Sequence, residues 1–127
     1  MTADPRTLLV VQSDIAPELE ADYLRWYDEE HIPQRLAVPG FRGAARFEVG
    51  PPPPSGAGLK VAAPPRHLAI YEVDGLHILE SEPYRHLIAN PTPWTQRIRS
   101  TFSLRLRSPY VERFRLASDD PRVEAFR

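Results

Sequence analysis

The stretch WYDEEHIPQRLAVPGFRGAARFEV, residues 26–49, decides the fold of this chain, because it predicts where a helix ends and a strand begins. Apolar and aromatic side chains in and before it recur at the three- and four-residue steps of an amphipathic helix: Leu19, Tyr23, Trp26 and Tyr27. Pro33 disfavours helical geometry at the residue before it, so we expect regular helix to end near His31. The Pro39-Gly40 pair then turns the chain into a strand over residues 41–49.

Three more segments predict strands. Residues 7–12 (TLLVVQ) are a short β-branched run, and residues 67–73 (HLAIYEV) and 101–107 (TFSLRLR) alternate in character. In the strand over 41–49, alternation groups Phe41, Ala45, Phe47 and Val49 on one face and Arg42, Arg46 and Glu48 on the other. In 101–107 it groups Phe102, Leu104 and Leu106 opposite Ser103, Arg105 and Arg107.

Capping residues mark the helix ends. Ser13 or Asp14 can cap the first helix. Ser81 caps a second helical region, which the proline of Asn90-Pro91 stops, and Thr92 caps one or two further turns.

The resulting order, β-α-β-β-α-β, predicts an α+β domain. We expect a ferredoxin-like βαββαβ sandwich, in which both helices cover one face of a four-stranded antiparallel sheet. The other face would carry Tyr71, some aliphatic side chains and several arginines. Because a half-apolar open sheet is usually covered, the sequence predicts a homodimer.

Composition limits the class of protein. The chain has 127 residues, 42% hydrophobic and 26% charged, as expected for one domain over residues 1–127. The absence of cysteine excludes disulfides and thiolate metal sites. No apolar run approaches the roughly 20 residues of a membrane span, and the first residues lack a secretory signal, so we expect a cytoplasmic protein without a membrane partner. A net charge of −1 argues against nucleic acid as a partner.

Two segments depart from the core, which we expect over about residues 7–107. Six of the 15 prolines lie in residues 50–65 (GPPPPSGAGLKVAAPP), which predicts one long exposed loop. That loop is a lid, a ligand for a proline-binding module or a plain insertion. Residues 108–127 are expected to form a C-terminal arm that adds a strand or packs on a partner.

The densest group of chemically useful side chains lies at the predicted end of the first helix. Tyr27 and Asp28 precede His31 by four and three residues, so both can reach its imidazole on a helix. The helix dipole, Asp28 and Glu30 favour the protonated ring, whereas burial opposes it. His31 is therefore a candidate general acid or base that titrates near neutral pH; alternatively, it only complements the dipole.

Metal and cofactor sites lack support in the sequence. His67, His77 and His86 are scattered, without metal-type spacing to another ligand. Nucleotide-binding glycine motifs, phosphate loops and the GxSxG motif are absent from the sequence. We expect neither a metal nor a cofactor.

Arginines form a second candidate group. Arg42 and Arg46, like Arg105 and Arg107, project from their strands at alternate positions. If one row faces the concave side of the sheet, it offers a fork for a carboxylate or phenolate. Otherwise these charges form a solvated edge that discourages aggregation.

Three motifs together resemble the EthD-like branch of the dimeric α/β-barrel superfamily: WYDEEHIP (26–33), RLAVPGF (35–41) and NPTPWT (90–95). The resemblance covers about residues 7–107 and implies a ferredoxin-like protomer that pairs into a dimeric α/β barrel. It also implies a small-molecule pocket between sheet and helices, near the end of the first helix, with His31 as its polar catalytic or binding residue. The proline-rich loop and the arm depart from the family pattern.

With this resemblance, we expect a cofactor-free acid/base enzyme acting on a small aromatic or polyketide-like carbonyl or phenolic compound. It would be a lyase or isomerase, of the cyclase or dehydratase type. His31 would move the proton, oriented by Asp28 or Tyr27. Trp26, Tyr71 and Trp94 would line the pocket, and Arg46 would bind an anion. The alternative is a non-catalytic small-molecule-binding or accessory protein of a degradation or biosynthetic operon.

Overall fold

One antiparallel sheet of four strands organises the chain. The computed structural model describes residues 5–52 and 63–127. Its strands are β1 (Thr7–Ile15), β2 (Phe41–Glu48), β3 (His67–Val73) and β4 (Phe102–Val111). Their spatial order is β2-β3-β1-β4, with every neighbouring pair antiparallel. Two interleaved βαβ units produce this order, so the predicted α+β, ferredoxin-like class is confirmed.

Pro33 led us to expect that the first helical region ends near His31, but the region continues to Leu36. A 3₁₀ turn (Pro17–Leu19) leads into α1 (Glu20–Trp26), a π turn (Tyr27–His31) and α2 (Ile32–Leu36). Within the π turn, the Ile32 amide donates to the carbonyl oxygen of Tyr27, five residues back. Proline lacks an N–H and crowds the carbonyl four residues back, so a wider turn before Pro33 lets the helix continue.

The start of that region also differs from the prediction. Strand β1 runs on to Ile15, so Ser13 and Asp14 lie in the strand and cap no helix. The Ser13 hydroxyl instead shares a hydrogen bond with the Tyr23 hydroxyl at 2.5 Å.

The second helical region follows its capping signals. It contains a 3₁₀ segment (Leu76–Glu80), α3 (Glu82–Ala89) and α4 (Pro93–Arg99). The hydroxyls of Ser81 and Thr92 accept hydrogen bonds from the backbone amides of Tyr84 and Thr95, respectively. Each helix thus begins where the sequence predicts.

Residues on β3 show which face of the sheet the helices cover. His67, Ala69, Tyr71 and Val73 alternate with half-buried side chains and are themselves buried. The expectation that Tyr71 lies on the open face is therefore wrong: Tyr71 is 1% exposed and packs beneath the helices.

Two irregularities in strand pairing reverse the predicted faces of β2 and β4. Arg42 and Ser103 are the extra residues at register shifts near the starts of the two strands. A one-residue shift moves the following side chains to the other face. Consequently Arg46, Arg105 and Arg107 lie on the helix side. Phe41 also lies on the helix side, opposite Phe47, and Phe102 lies opposite Leu104 and Leu106.

The open face of the sheet remains apolar. Phe47 and Leu106 are about half exposed, and Tyr110 is 58% exposed. Strand β4 extends to Val111, so residues 108–111 belong to the sheet and the arm begins later than expected; a proline at position 109 is tolerated because β4 is an edge strand. A short helix, α5 (Pro121–Glu124), lies in the remaining segment.

Most of the proline-rich segment predicted as a loop, residues 53–62, falls outside the described residues. Across the helices that are described, none has the length and hydropathy needed to cross a membrane.

Candidate functional site

A cavity of about 100 Å³ lies between the π turn, α4 and β4. Its lining combines apolar side chains, one histidine and four arginines: Trp26, His31, Arg35, Ile88, Thr95, Arg99, Phe102, Arg105 and Arg107. The described lining contains no carboxylate. The cavity therefore offers positive charge beside an aromatic wall.

The π turn positions His31 at this cavity. Its ring stacks on Trp26 with centroids 4.1 Å apart, and it is nearly perpendicular to the Tyr27 ring, with centroids 5.1 Å apart. With 5% of its surface exposed, the imidazole is held by packing on several sides. Such π turns frequently occur at functional sites.

His31 is neutral, contrary to the expectation of titration near pH 7. Burial lowers its pKa to about 2, and the positive charges of Arg35 and Arg105 act in the same direction. The acidic neighbours do not offset this, because Asp28 is turned toward Arg46, with two N–O distances of 2.9 Å. The Nδ1 atom of His31 is buried and finds no hydrogen-bond partner within the described chain.

Arg35 is the buried cation of the cavity. It follows His31 by four residues in α2, so both side chains lie on one helix face. Arg35 is 6% exposed, and its guanidinium lies 5.8 Å from the centre of the Tyr84 ring. Burial lowers its pKa to about 10, which still leaves it protonated at neutral pH.

The other three arginines are exposed and line the cavity nearer to solvent: Arg99, Arg105 and Arg107. Arg107 also donates a hydrogen bond to the Tyr84 hydroxyl. The alternate arginines of β4 thus lie beside the cavity, in agreement with the arrangement in which one row offers a fork to an anion.

The structure brings together only some of the predicted site residues. His31, Trp26 and Tyr27 are in mutual contact, and the Tyr71 ring lies 6.3 Å from that of His31. The Tyr71 hydroxyl is buried without a partner in the described chain, and burial raises its pKa. Trp94 does not line the cavity; its Nε1 donates to Asp22.

Arg46 and Asp28 also lie outside the cavity lining, paired with each other. They form an ion pair on the helix side of the sheet edge, so Asp28 does not orient His31 and Arg46 does not face a ligand in the cavity.

Sequence reasoning missed Arg35 and Thr95. The spacing of Arg35 from His31 would have indicated it, had the helix been expected to continue past Pro33. Thr95 accepts the Trp26 Nε1–H at 3.1 Å and so fixes the aromatic wall. The carboxylate of Glu30 accepts hydrogen bonds from the hydroxyl of the cap residue Thr92 at 2.7 Å and from the Thr95 hydroxyl at 3.4 Å.

A separate cluster offers metal-ligand atoms. One atom each of Glu20, Glu48 and His67 lies within 4.8 Å of the others. However, Arg66 already approaches both carboxylates, at 3.1 Å from Glu20 and 4.0 Å from Glu48. A guanidinium therefore supplies the positive charge at this position, and a metal ion would have to displace it. The cluster escaped the spacing analysis because its members come from α1, β2 and β3.

Comparison with known proteins gives likenesses in structure alone. No protein-family model matches the chain, and no curated protein matches it. One similar solved structure is a dimeric ferredoxin-like protein from an uncultured marine organism, with 12% identity and a TM-score of 0.59, covering 90% of this chain and 93% of the other. Another is an ethyl tert-butyl ether D (EthD) family protein from Bacillus halodurans, with 12% identity and a TM-score of 0.52, covering 87% and 99%.

Identities this low speak to fold and leave activity open. The EthD family protein among these structures agrees with the family resemblance of the three sequence motifs. This chain therefore has the ferredoxin-like fold that dimeric ferredoxin-like proteins, an EthD family protein among them, display.

Proposed function

We propose that this protein is a cofactor-free acid/base enzyme that acts on a small carbonyl or phenolic compound, with His31 as the proton-transfer residue. The observation that carries the proposal is a neutral, packed imidazole beside a cavity whose described charged groups are all cationic. A neutral imidazole has a free lone pair, and cations stabilise the anion left after proton removal.

The chemistry follows from that arrangement. His31 accepts a proton from an acidic C–H or O–H group, and the electron pair moves onto the substrate oxygen as an enolate or phenolate. Arg35 faces the same cavity and stabilises this oxyanion. In a tautomerisation, the proton returns to a different atom of the substrate. In a cyclisation, the enolate carbon attacks a carbonyl carbon of the same molecule, and the new alkoxide takes the proton from His31. In a dehydration, the enolate re-forms its carbonyl while the bond to a β-hydroxyl breaks, and that hydroxyl takes the proton and leaves as water. An anion in the cavity raises the pKa of His31, so the base becomes stronger when the substrate is bound.

Deuterium exchange tests proton abstraction without knowledge of the full reaction. Small aryl ketones and phenylpyruvate are incubated with the protein in D₂O, and loss of the acidic C–H signal is followed by NMR. We expect wild type to accelerate the exchange and His31→Gln to lose this acceleration. The control variant His77→Gln, which changes an exposed histidine, should accelerate the exchange as wild type does. Exchange that His31→Gln accelerates as well as wild type would exclude His31 as the base.

A binding protein without catalysis is the second candidate. It is favoured by the absence of a described carboxylate oriented on His31, because Asp28 is committed to Arg46. In that case a compound would bind the cavity tightly while no proton exchanged, and His31→Gln would alter affinity alone.

We further propose that the protein acts as a homodimer. The open face of the sheet keeps Phe47, Leu106 and Tyr110 exposed, and the similar solved structure from a marine organism is described as dimeric. Burying such a face in a two-fold interface removes its apolar surface from water. Sedimentation at micromolar concentration should show a dimer, and Leu106→Asp should shift it to a monomer. A wild-type monomer would contradict this assembly.

A further inference from the structure

We propose that the cavity beside His31 is a carboxylate-binding site, so that the compound entering it carries a carboxylate group before any reaction occurs. Arg35 is its central ligand, and the exposed arginines of α4 and β4 attract and enclose the anion. This inference deepens the proposed function by naming a substrate class, but the binding step stands without proton transfer.

The first argument is the contrast between the cavity arginines and the other arginines. Nine arginines have a carboxylate oxygen within 4.0 Å: Arg6, Arg25, Arg42, Arg46, Arg66, Arg97, Arg115, Arg122 and Arg127. In residues 5–52 and 63–127, none of the four arginines of the cavity has such a partner. Arg85 and Arg113 also have no such partner among the described residues, but both are exposed and lie outside the cavity lining. Guanidinium groups without a carboxylate partner therefore cluster at the cavity.

The second argument is the burial of Arg35. Water solvates an exposed guanidinium, so an unpaired arginine at the surface needs no explanation. Arg35 is 6% exposed and lines a cavity, where an unpaired charge is costly to desolvate. Its contact with the face of Tyr84 offsets only part of that cost. An anionic ligand supplies the missing counter-charge.

The third argument concerns the kind of anion. A guanidinium presents a planar fork that matches a carboxylate with two parallel hydrogen bonds. The rest of the lining includes Trp26, Ile88 and Phe102, which suit an apolar or aromatic body attached to that carboxylate. A strongly hydrated inorganic phosphate would gain nothing from this wall. The site therefore fits a small aryl or unsaturated carboxylate.

Calorimetric titration with benzoate, benzamide and inorganic phosphate tests the inference on the intact protein. Benzoate and benzamide have the same ring and nearly the same shape, so their difference isolates the charge. We expect benzoate to bind more than tenfold tighter than either of the others, and to weaken as salt is raised. Equal binding of benzamide would overturn the charge argument, and tighter binding of phosphate would overturn the carboxylate class.

Variants assign the site to residues. Arg35→Gln should weaken benzoate roughly tenfold to a hundredfold, as expected for loss of a charged hydrogen-bond partner. Arg42→Gln is the matched control: it removes an exposed arginine paired with Asp74, and should leave benzoate affinity unchanged. Arg105→Gln, at an exposed position on the cavity lining, serves where Arg35→Gln disturbs folding, and should weaken benzoate severalfold. Unchanged affinity in folded Arg35→Gln or in Arg105→Gln would refute the assignment.

The same titration separates this inference from the proposed function. If His31→Gln binds benzoate but no compound exchanges protons, the carboxylate site stands and the enzyme proposal fails. If exchange depends on His31 but benzoate does not bind, the enzyme proposal stands and the carboxylate site fails.

Discussion

His31 and His67 are both buried histidines on the helix side of the sheet, yet the charged groups beside them differ in sign. Arginines lie beside His31, and carboxylates lie beside His67. His31 is 5% exposed and lines a cavity with four arginines. His67 is 1% exposed, and its Nε2 lies 3.4 Å from a carboxylate oxygen of Glu20. Burial lowers the pKa of both, although Glu20 and Glu48 act to raise that of His67.

The comparison shows that a neutral buried histidine is not in itself the mark of a functional site. At His67, the guanidinium of Arg66 lies beside the carboxylates of Glu20 and Glu48, so charges of opposite sign offset one another within the protein. At His31 the positive charge has no counterpart in the described chain, and a cavity adjoins the ring. Unbalanced charge next to open space therefore separates the candidate site from a packed core residue.

The largest expected difference between the two histidines lies in proton exchange. His31→Gln should slow deuterium exchange of a reactive carbonyl compound by at least about a hundredfold, as is typical for loss of a general base. His67→Gln should leave the rate within a fewfold of wild type, provided that circular dichroism shows a folded protein. A similar loss in both variants would indicate damage to the core rather than to a site.

Acid sensitivity should be the next largest effect. In the unfolded chain, His31 takes up a proton below its ordinary pKa of 6.5, whereas in the folded protein its pKa is about 2. The unfolded state therefore binds more protons between these values, and folding stability falls as the pH drops below 6.5, by up to about 1.4 kcal/mol per pH unit. Urea unfolding of His31→Gln should show a shallower loss between pH 6.5 and 4. An unchanged slope would mean that His31 titrates normally in the folded protein.

Removing the unbalanced charge should stabilise the free protein. Arg35→Met keeps an apolar stem in the core and eliminates an unpaired buried cation, which should increase the free energy of unfolding by about 1 kcal/mol while weakening benzoate binding roughly as Arg35→Gln does. Thermal unfolding would show a rise of about 4 °C. If Arg35→Met is instead clearly less stable, Arg35 is a structural residue with a partner elsewhere.

The smallest expected effect concerns the balanced site. Arg66→Gln leaves Glu20 and Glu48 beside His67 without their guanidinium, so the pKa of His67 should rise. Stability should change by less than about 1 kcal/mol, because Arg66 is largely exposed. NMR titration of the histidine signals measures the shift, and no change in the His67 signal would show that Arg66 does not balance this cluster.

Periodicity and capping chemistry predicted most of the fold. The strand over residues 67–73 follows from the alternation of its side chains, and the helix starts after Ser81 and Thr92 follow from the capping preference of these two residues. Both features can be identified within a short stretch of sequence. By contrast, the π turn before Pro33 and the register shifts at Arg42 and Ser103 depend on how the whole sheet and helices pack. Propensity does not encode these irregularities, and each of them changes which way several side chains point.

Those irregularities explain why the candidate site was predicted only in part. His31 and Trp26 were found because their motif lies in one continuous stretch. Arg35 was missed because the helix was expected to stop before it. Asp28 was expected to contact His31, but the register shift in β2 places Arg46 on the helix side, where it pairs with Asp28. Protonation was misjudged because burial, which no sequence pattern measures, outweighs the nearby acids.

NMR titration of the histidine imidazoles, with and without saturating benzoate, tests the account most directly. In the free protein, the His31 ring should stay neutral down to pH 5, and benzoate should raise its pKa while leaving the His67 signal in place. That result would show that an anion enters the cavity and acts on the proposed base. A His31 ring that titrates near pH 6.5 in the free protein, or whose pKa does not change when benzoate is added, would contradict the account.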